Sequence, residues 1–551
     1  MIVENNAAKR KTPTQISFSR IRLFQFFAKD AFIANPNVTF SYILPLLGKS
    51  YEEFSNLIKV FGQEEKGWIK IDSKSVGVRI NNEVFKLEEI LAMILRDAKV
   101  LAEKAADDNV TSCVITIPPS FDQYQRMALK SSLDLAGMTP LAFVNENLAA
   151  SLKYSLDILY KRPSIVVYVN MGASEFKVSV VKHTQEISEE TKKLADKVEV
   201  LGEAWDTTLG GRQFDYEVAK ILENKFNKSM NSKAKRKLLA SAEDIKEKLS
   251  AVKFIDVFID KLANNKDLED KVLRSEFEAR LEKYEERIRR VIELALEDSN
   301  ITEIDDIELL GGGLRVPFIK SVITKSFNDS TLNQRLNLDE AMSFGAGFLA
   351  ARLSNTFKVK PISIVQSTNY EIYIKIHDLS KNTLLYPLTI LFPRKSPYNI
   401  MKAVSFYYNN NISISLYERG KKFVVFEVQG ITEQTEVSLL FEINEFGIID
   451  LKSTSKGEII KKYEYSMKDI KRAKTRIEEI EAHEKSLLDI AEARNNYESL
   501  IYDTKHWLND DYNSQFITKE DKKKLMQLLR KVCLCLIKYR KRNGCMKMKR
   551  K

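Results

Sequence analysis

The sequence predicts three structural classes in series: an α/β region, an all-β domain and a helical end. Strand-like apolar runs alternate with helical patterns through residues 1–355. Apolar and polar residues alternate singly through 366–456, and 465–509 contains no Gly or Pro. At 551 residues the chain is long enough for three or four cores of ~150 residues each. A hydrophobic fraction of 44% and a charged fraction of 30%, with 19 Gly and 12 Pro, exclude collagen-like, mucin-like and disordered compositions.

In the α/β region, 114–118 (VITIP) reads as a strand followed by a helix over 123–137. Residues 165–171 (IVVYVNM) and 176–182 read as two strands joined by a turn at Gly172. The run 307–310 ends in Gly311, Gly312 and Gly313, and a helical pattern resumes after Pro317. The charged segment 233–290 reads as two or more amphipathic helices. The basic, proline-bearing stretch FKVKP at 357–361 is poor helix material and places a linker at 356–365. Beyond it, 412–416 and 423–428 are strands, and 441–451 (FEINEFGIIDL) is a hairpin turning near Gly447. A final helix starts at Thr518, with Asp521 three residues on as its cap partner.

The formal charge of +11 invites a nucleic-acid reading, but nine of the 87 basic residues, and no acid, lie in 531–551. The body is close to neutral, and it carries no aromatic-basic pattern, so no nucleic-acid partner is expected. No run reaches the ~18 to 20 apolar residues of a membrane-spanning helix, so no membrane partner is expected either. Three of the four cysteines also fall in that tail, leaving Cys113 alone in the body. Neither a disulfide framework nor a zinc site follows from such spacing, and no metal ligand is assigned.

Three glycine turns follow apparent strands: 170–173, 208–211 and 311–315. Glycine lets the backbone approach a phosphate and aim its N–H groups at the anion. Each alone is more simply a tight turn; together they point to a nucleotide. Neither GxxxxGK[ST] nor GxGxxG occurs.

Motifs at 114–126 (VITIPPSFDQYQR), 143–157 (FVNENLAASLKYSLD), 205–215 (WDTTLGGRQFD), 309–317 (LLGGGLRVP) and 337–345 (NLDEAMSFG) resemble, in order, those of the seventy-kilodalton heat-shock chaperone superfamily. The likeness continues through FEINEFGIIDL and into 492–510 (EARNNYESLIYDTKHWLND). KRKTP at 9–13, NEN at 145–147 and the FKVKP linker are most similar to the large endoplasmic-reticulum members, the hypoxia up-regulated branch.

The resemblance implies an actin-like ATPase domain of two lobes at 1–355, a β-sandwich for unfolded polypeptide at 366–456 and a helical lid at 457–530. It implies ATP or ADP with magnesium as cofactors, unfolded polypeptides as clients, an ordinary heat-shock chaperone as partner for nucleotide exchange, and the endoplasmic-reticulum lumen as location, with cytoplasm the alternative. Carried over residue by residue, Gly172, Gly210 and Gly211 approach the phosphates, and Gly311, Gly312, Gly313 and Arg315 line the phosphate and adenine side. Glu243, Lys246 and Ser250 face the adenosine, Asp339 is a further site carboxylate, and Lys29 is the catalytic candidate that orients the attacking water.

The departures matter as much. The superfamily's first Asp-Leu-Gly-Thr-Thr hairpin has no counterpart before Lys9, and its second, Asp-Leu-Gly-Gly-Gly-Thr-Phe-Asp, stands here as Asn170-Met171-Gly172-Ala173-Ser174-Glu175-Phe176-Lys177. Both aspartates are lost, and phosphoryl transfer rests on the metal they organise. Impaired hydrolysis is therefore expected; the alternative is an ATP-hydrolysing foldase with its own lid cycle. A sugar kinase of the same actin-like type would not carry 366–530.

Both ends carry expectations of their own. Upstream coding sequence is expected to supply a signal segment and the first hairpin. The tail 531–551 is expected to be a reading-frame artefact, since permitted codons for 539–551, reread after dropping two bases, give Gln-Lys-Thr-Glu-Trp-Leu-Tyr followed by acids. Sequencing complementary DNA across both ends checks this. The expected result is an in-frame upstream exon and a shifted 3′ frame; an in-frame stop before Met1 and an uninterrupted frame to Lys551 in independent transcripts would contradict it.

Overall fold

The computed structural model describes residues 2–60, 67–71, 75–158, 162–187, 192, 194–354, 357–463, 470–510 and 512–532. The reread tail segment 539–551 lies outside the described residues. The chain forms two compact units, Met1–Ala473 and Lys474–Lys551.

The first unit is organised by a five-stranded sheet, in the order Asp306–Leu310, Ser164–Met171, Phe176–Ile187, Leu194–Asp206, Ile362–Val365. The hairpin expected around Gly172 is present, with Met171 opposite Phe176. IVVYV is continuously apolar because both faces of this sheet are covered. Val167 and Val169 pack toward Phe214, Val218, Leu222 and Ile292, whereas Val166 and Tyr168 pack toward Leu148, Leu152 and Leu349. Each such fully buried side chain is worth about 1.5–3 kcal/mol. The Tyr168 hydroxyl, buried with them, meets His183 Nε2 at 3.0 Å, and His183 Nδ1 meets Ser155 Oγ at 2.9 Å. Burial lowers His183 to about 4, so the imidazole is a neutral structural link.

Gly345 shows how tightly the second face is closed. A Cβ there would stand 1.7 Å from the Ala149 carbonyl oxygen, so only glycine lets the Ala341–Leu353 helix lie against Glu146–Asp157. Ser112–Ile117 pairs in parallel with Thr139–Asn145, separately from the three-stranded sheet of Ile16–Phe18, Arg22–Phe24 and Thr39–Phe40.

Three boundaries differ from the sequence reading. The segment 233–290 is not helical throughout: a hairpin, Phe254–Ala263 with Lys266–Leu273, separates the Ser232–Ala251 helix from the helices after it. Its alternation is real but masked by charge, Val257 and Ile259 being buried while Phe258 is exposed. Asn264 and Asn265, both left-handed at φ 52° and 55°, make the turn. Second, the expected linker ends in a strand, Ile362–Val365, parallel to Leu194–Asp206. Its β-branched residues complete an open sheet edge, and Lys360 anchors the approach through Asp196 at 2.5 Å. Third, Glu458–Tyr463, assigned to the helical end, pairs with Lys421–Gln429 as a fifth strand of the β region.

That β region comprises two antiparallel sheets, ordered 384–392, 372–378, 412–418, 421–429, 458–463 and 400–408, 435–443, 449–454. The alternation fixes which face is buried: Ile372, Ile374 and Ile376 lie inside with Ile412, Ile414 and Leu416. The hairpin at Gly447 is present, with Gly447 at φ 69°. The helix Ile470–Asn509, whose residues from Lys474 on belong to the second unit, continues through its glycine-free run, and residues 519–532 form a further helix. The Asp521 N–H donates to Thr518 Oγ1 at 3.1 Å, as the capping pattern requires.

Within the first unit, the β sheets grip the Gln123–Ala136 helix by its first turn. The Gln123 N–H donates to Glu418 Oε2 at 2.6 Å, Gln123 Nε2 to the Gly447 carbonyl at 2.7 Å, and Arg126 Nη1 to the Phe446 carbonyl at 3.0 Å. Burial, reinforced by the Asp122 carboxylate, pushes Glu418 up to about 8. Because its folded-state value is raised, the folded chain holds a proton that the unfolded chain releases between the ordinary carboxyl range and about 8. Stability from this group therefore falls as pH rises through that window. Wild type should lose more thermal stability than Glu418→Gln between about pH 5 and about pH 8; equal losses would contradict the assignment.

Candidate functional site

The glycine turns owe their composition to two different needs. Gly210 and Gly311 are glycine because backbone packs on backbone: a Cβ would lie 2.7 Å from the Ala173 carbonyl oxygen at the first and 2.3 Å from the Met171 carbonyl oxygen at the second. Gly311 also sits at φ 85°. Gly172 has no atom within 4 Å of such a Cβ, so its face is open. The Gly211 N–H donates to the Gly172 carbonyl at 2.9 Å and the Arg212 N–H to the Ala173 carbonyl at 2.9 Å, laying the second turn on the first. The Gly311 N–H donates to the Leu338 carbonyl at 2.9 Å, bringing Asp339 alongside.

The three turns thus border one cleft of about 1140 Å³. Gly172, Gly211, Gly311, Gly312, Gly313, Arg315, Asp339, Glu243, Lys246, Ser250 and Lys29 all line it. Gly210 lies behind the lining, supporting the turn. The Gly211–Phe226 helix begins at the cleft wall with its first N–H groups already donating to the Gly172 and Ala173 carbonyls, so what it offers an anion is the positive end of its dipole.

The charges are already matched among themselves. Lys29, on the Gln25–Ala34 helix, pairs with Glu243 at 2.8 Å, so the ammonium expected to orient water is tied to the adenosine-side helix. Lys246 pairs with Asp215 at 2.6 Å, and Arg315 and Lys11 share Asp339 at 2.7 and 3.3 Å. These cations hold the Asp339 carboxyl below its ordinary range against burial. Ser250 Oγ donates to the Lys246 carbonyl at 3.1 Å.

Beneath the hairpin, Lys177 is buried between two carboxylates. Its ammonium bonds Glu146 and lies 3.1 Å from Glu175, whose other oxygen accepts from Ser120 Oγ at 3.3 Å. Burial alone would lower Lys177; Glu146 and Glu175 reverse that and raise it to about 12. Asn170 Nδ2 donates to Asn147 Oδ1 at 2.9 Å. Sequence reasoning noted Lys177 as a lost aspartate but missed this pairing, because Glu146 is 31 residues away. Arg212, Glu146 and Tyr42, all in the cleft wall, were also missed; a basic residue directly after Gly210-Gly211 was the available signal for Arg212.

The family model described as Hsp70 protein matches residues 1–542. The chain belongs to the Hsp70 protein family. Similar curated Hsp70 relatives are the hypoxia up-regulated protein 1 of Danio rerio, 29% identical over 432 residues, and that of Homo sapiens, 29% over 436. Each match covers 74% of this chain and 43% of the relative, so the chain spans less than half their length. The Xenopus tropicalis protein of the same name is 30% identical over 443 residues, 75% of this chain and 68% of the relative.

Hsp70 membership implies a nucleotide with magnesium, and the cleft fits the two unequally. The open glycine turns and helix start suit phosphate. Magnesium wants six oxygens at near-ideal octahedral geometry, commonly one or two carboxylates with phosphates and water. Here Asn170 supplies an amide, and Glu146 and Glu175 are held by Lys177. Among the described residues no group of three or more His, Cys, Asp or Glu is placed to hold a metal. The donor set does not fit magnesium.

Removing the buried ammonium should leave two uncompensated carboxylates. Lys177→Met is expected to destabilise the folded chain by about 3–5 kcal/mol, read as a lowered unfolding midpoint in denaturant; an unchanged midpoint would contradict the pairing.

Proposed function

We propose that this chain is a nucleotide-binding chaperone or co-chaperone with little ATPase turnover, which binds unfolded polypeptide and promotes nucleotide exchange on an ordinary Hsp70 partner. The observation that carries the reading is the cleft itself: three glycine turns border one cavity of about 1140 Å³, while the carboxylates that would organise a metal are absent or neutralised. On this reading residues 1–355 are two lobes around nucleotide, and the helices after Ile470 form a lid. Binding can persist without turnover because the glycine backbone and helix start serve affinity, whereas phosphoryl transfer depends on metal and positioned water.

Client binding is supported by the β region. Leu384, Leu388 and Ile390 on one edge strand and Met401 and Tyr407 on another are exposed, an apolar surface suited to extended polypeptide. The likeness to hypoxia up-regulated proteins supports the partner role and a location in the endoplasmic-reticulum lumen.

Steady-state ATP hydrolysis by the purified chain tests the central part of this reading. We expect turnover far below that of an ordinary Hsp70 chaperone assayed alongside it, even with magnesium. Robust magnesium-dependent turnover abolished by Lys29→Ala would instead establish the ATP-hydrolysing foldase.

A further inference from the structure

Arg212 combines burial with an unmet hydrogen-bonding need inside the cleft wall. It follows Gly211 in the first turn of the Gly211–Phe226 helix, is 8% exposed, and lines the cleft. Its Nε is buried without a hydrogen-bond acceptor among the described residues. The guanidinium stacks against Tyr42 and Tyr216, with centroids at 5.7 and 5.1 Å, and Asp215 stands off at 3.9 Å, beyond hydrogen-bonding reach. A planar donor fork held between two rings, with a donor unsatisfied, is prepared for an oxyanion.

Lys246 approaches the same turn from the Ser232–Ala251 helix, its ammonium 2.6 Å from Asp215 and 3.4 Å from the Gly211 carbonyl oxygen. Two cations therefore converge at the Gly210-Gly211 turn, with the single carboxylate of Asp215 set against both. On the hairpin side the position that would favour a metal is occupied instead by the Asn170 amide and the Lys177 ammonium, locked between Glu146 and Glu175. A divalent cation brought there would meet a fixed positive charge within its own ligand set.

Building on the nucleotide reading above, we propose that the cleft binds a nucleotide's polyphosphate without a divalent cation, Arg212 and Lys246 supplying the positive charge that the metal would otherwise provide. The phosphate oxygens accept from the guanidinium and the ammonium, beside the positive end of the Gly211–Phe226 helix.

The test is calorimetric titration of the full chain with ADP, once with excess magnesium and once with EDTA. The dissociation constants should agree within about twofold, and Arg212→Gln and Lys246→Gln should each weaken binding about tenfold or more in both buffers. Circular dichroism establishes that each variant is folded; if one is not, the other and the wild-type comparison decide. ADP binding that disappears in EDTA, or folded variants that keep wild-type affinity, would overturn the proposal while leaving nucleotide binding intact. No ADP binding in either buffer would overturn the nucleotide reading itself, and the proposal with it.

Discussion

Backbone packed directly on backbone is the constraint on which the rest of this molecule depends. The turn after Met171 is clasped by Gly210-Gly211 on one side and Gly311 to Gly313 on the other, with contacts too close for any Cβ at Gly210 or Gly311. That clasp fixes the end of the Ser164–Met171 strand against the start of the Gly211–Phe226 helix and the Gly312–Arg315 turn. A cleft bordered by the three glycine turns follows from it, and so does the short reach from Gly211 to Arg212 and Lys246. The clasp is independent of the charges around it. An Hsp70 protein can therefore exchange the acids of its hairpin for Asn170 and Lys177 while keeping the glycine frame.

Much of this frame was legible in the sequence because glycine, strand runs and caps are local signals. IVVYVNM followed by Gly172 announced a hairpin, ISISL announced a strand with Ile412, Ile414 and Leu416 inside, and Thr518 with Asp521 announced a helix start; each stands so in the structure. What escaped is non-local or chemically disguised. The hairpin at 254–273 hid because Asp, Glu and Lys alternate with its apolar residues, giving a composition shared with solvated helices. The strand at 362–365 hid behind Pro361, a residue that marks breaks, although it gains its stability from the open edge of Leu194–Asp206.

The site divides along the same line. Residues whose role is backbone approach or position on a motif, from Gly172 to Asp339, came together around one cleft. Their pairings could not be read, since each partner lies far along the chain: Glu243 for Lys29, Glu146 for Lys177, and Tyr42 for Arg212. Pairing alters chemistry more than identity does. A lysine that looks free to polarise water is a strut between two helices, and a lysine that looks like a mere lost aspartate is the counter-charge of a buried acidic pair.

The account's central claim is that the protein's own cations stand where an Hsp70 protein's metal would act. A crystal structure of the chain with ADP and manganese, measured for manganese anomalous scattering, tests it most directly. The account predicts phosphate oxygens against Arg212 and Lys246, with no anomalous peak among Glu146, Glu175, Asn170 and the phosphates. A manganese peak bridging the phosphates to Glu146 or Glu175, with Lys177 displaced, would contradict it.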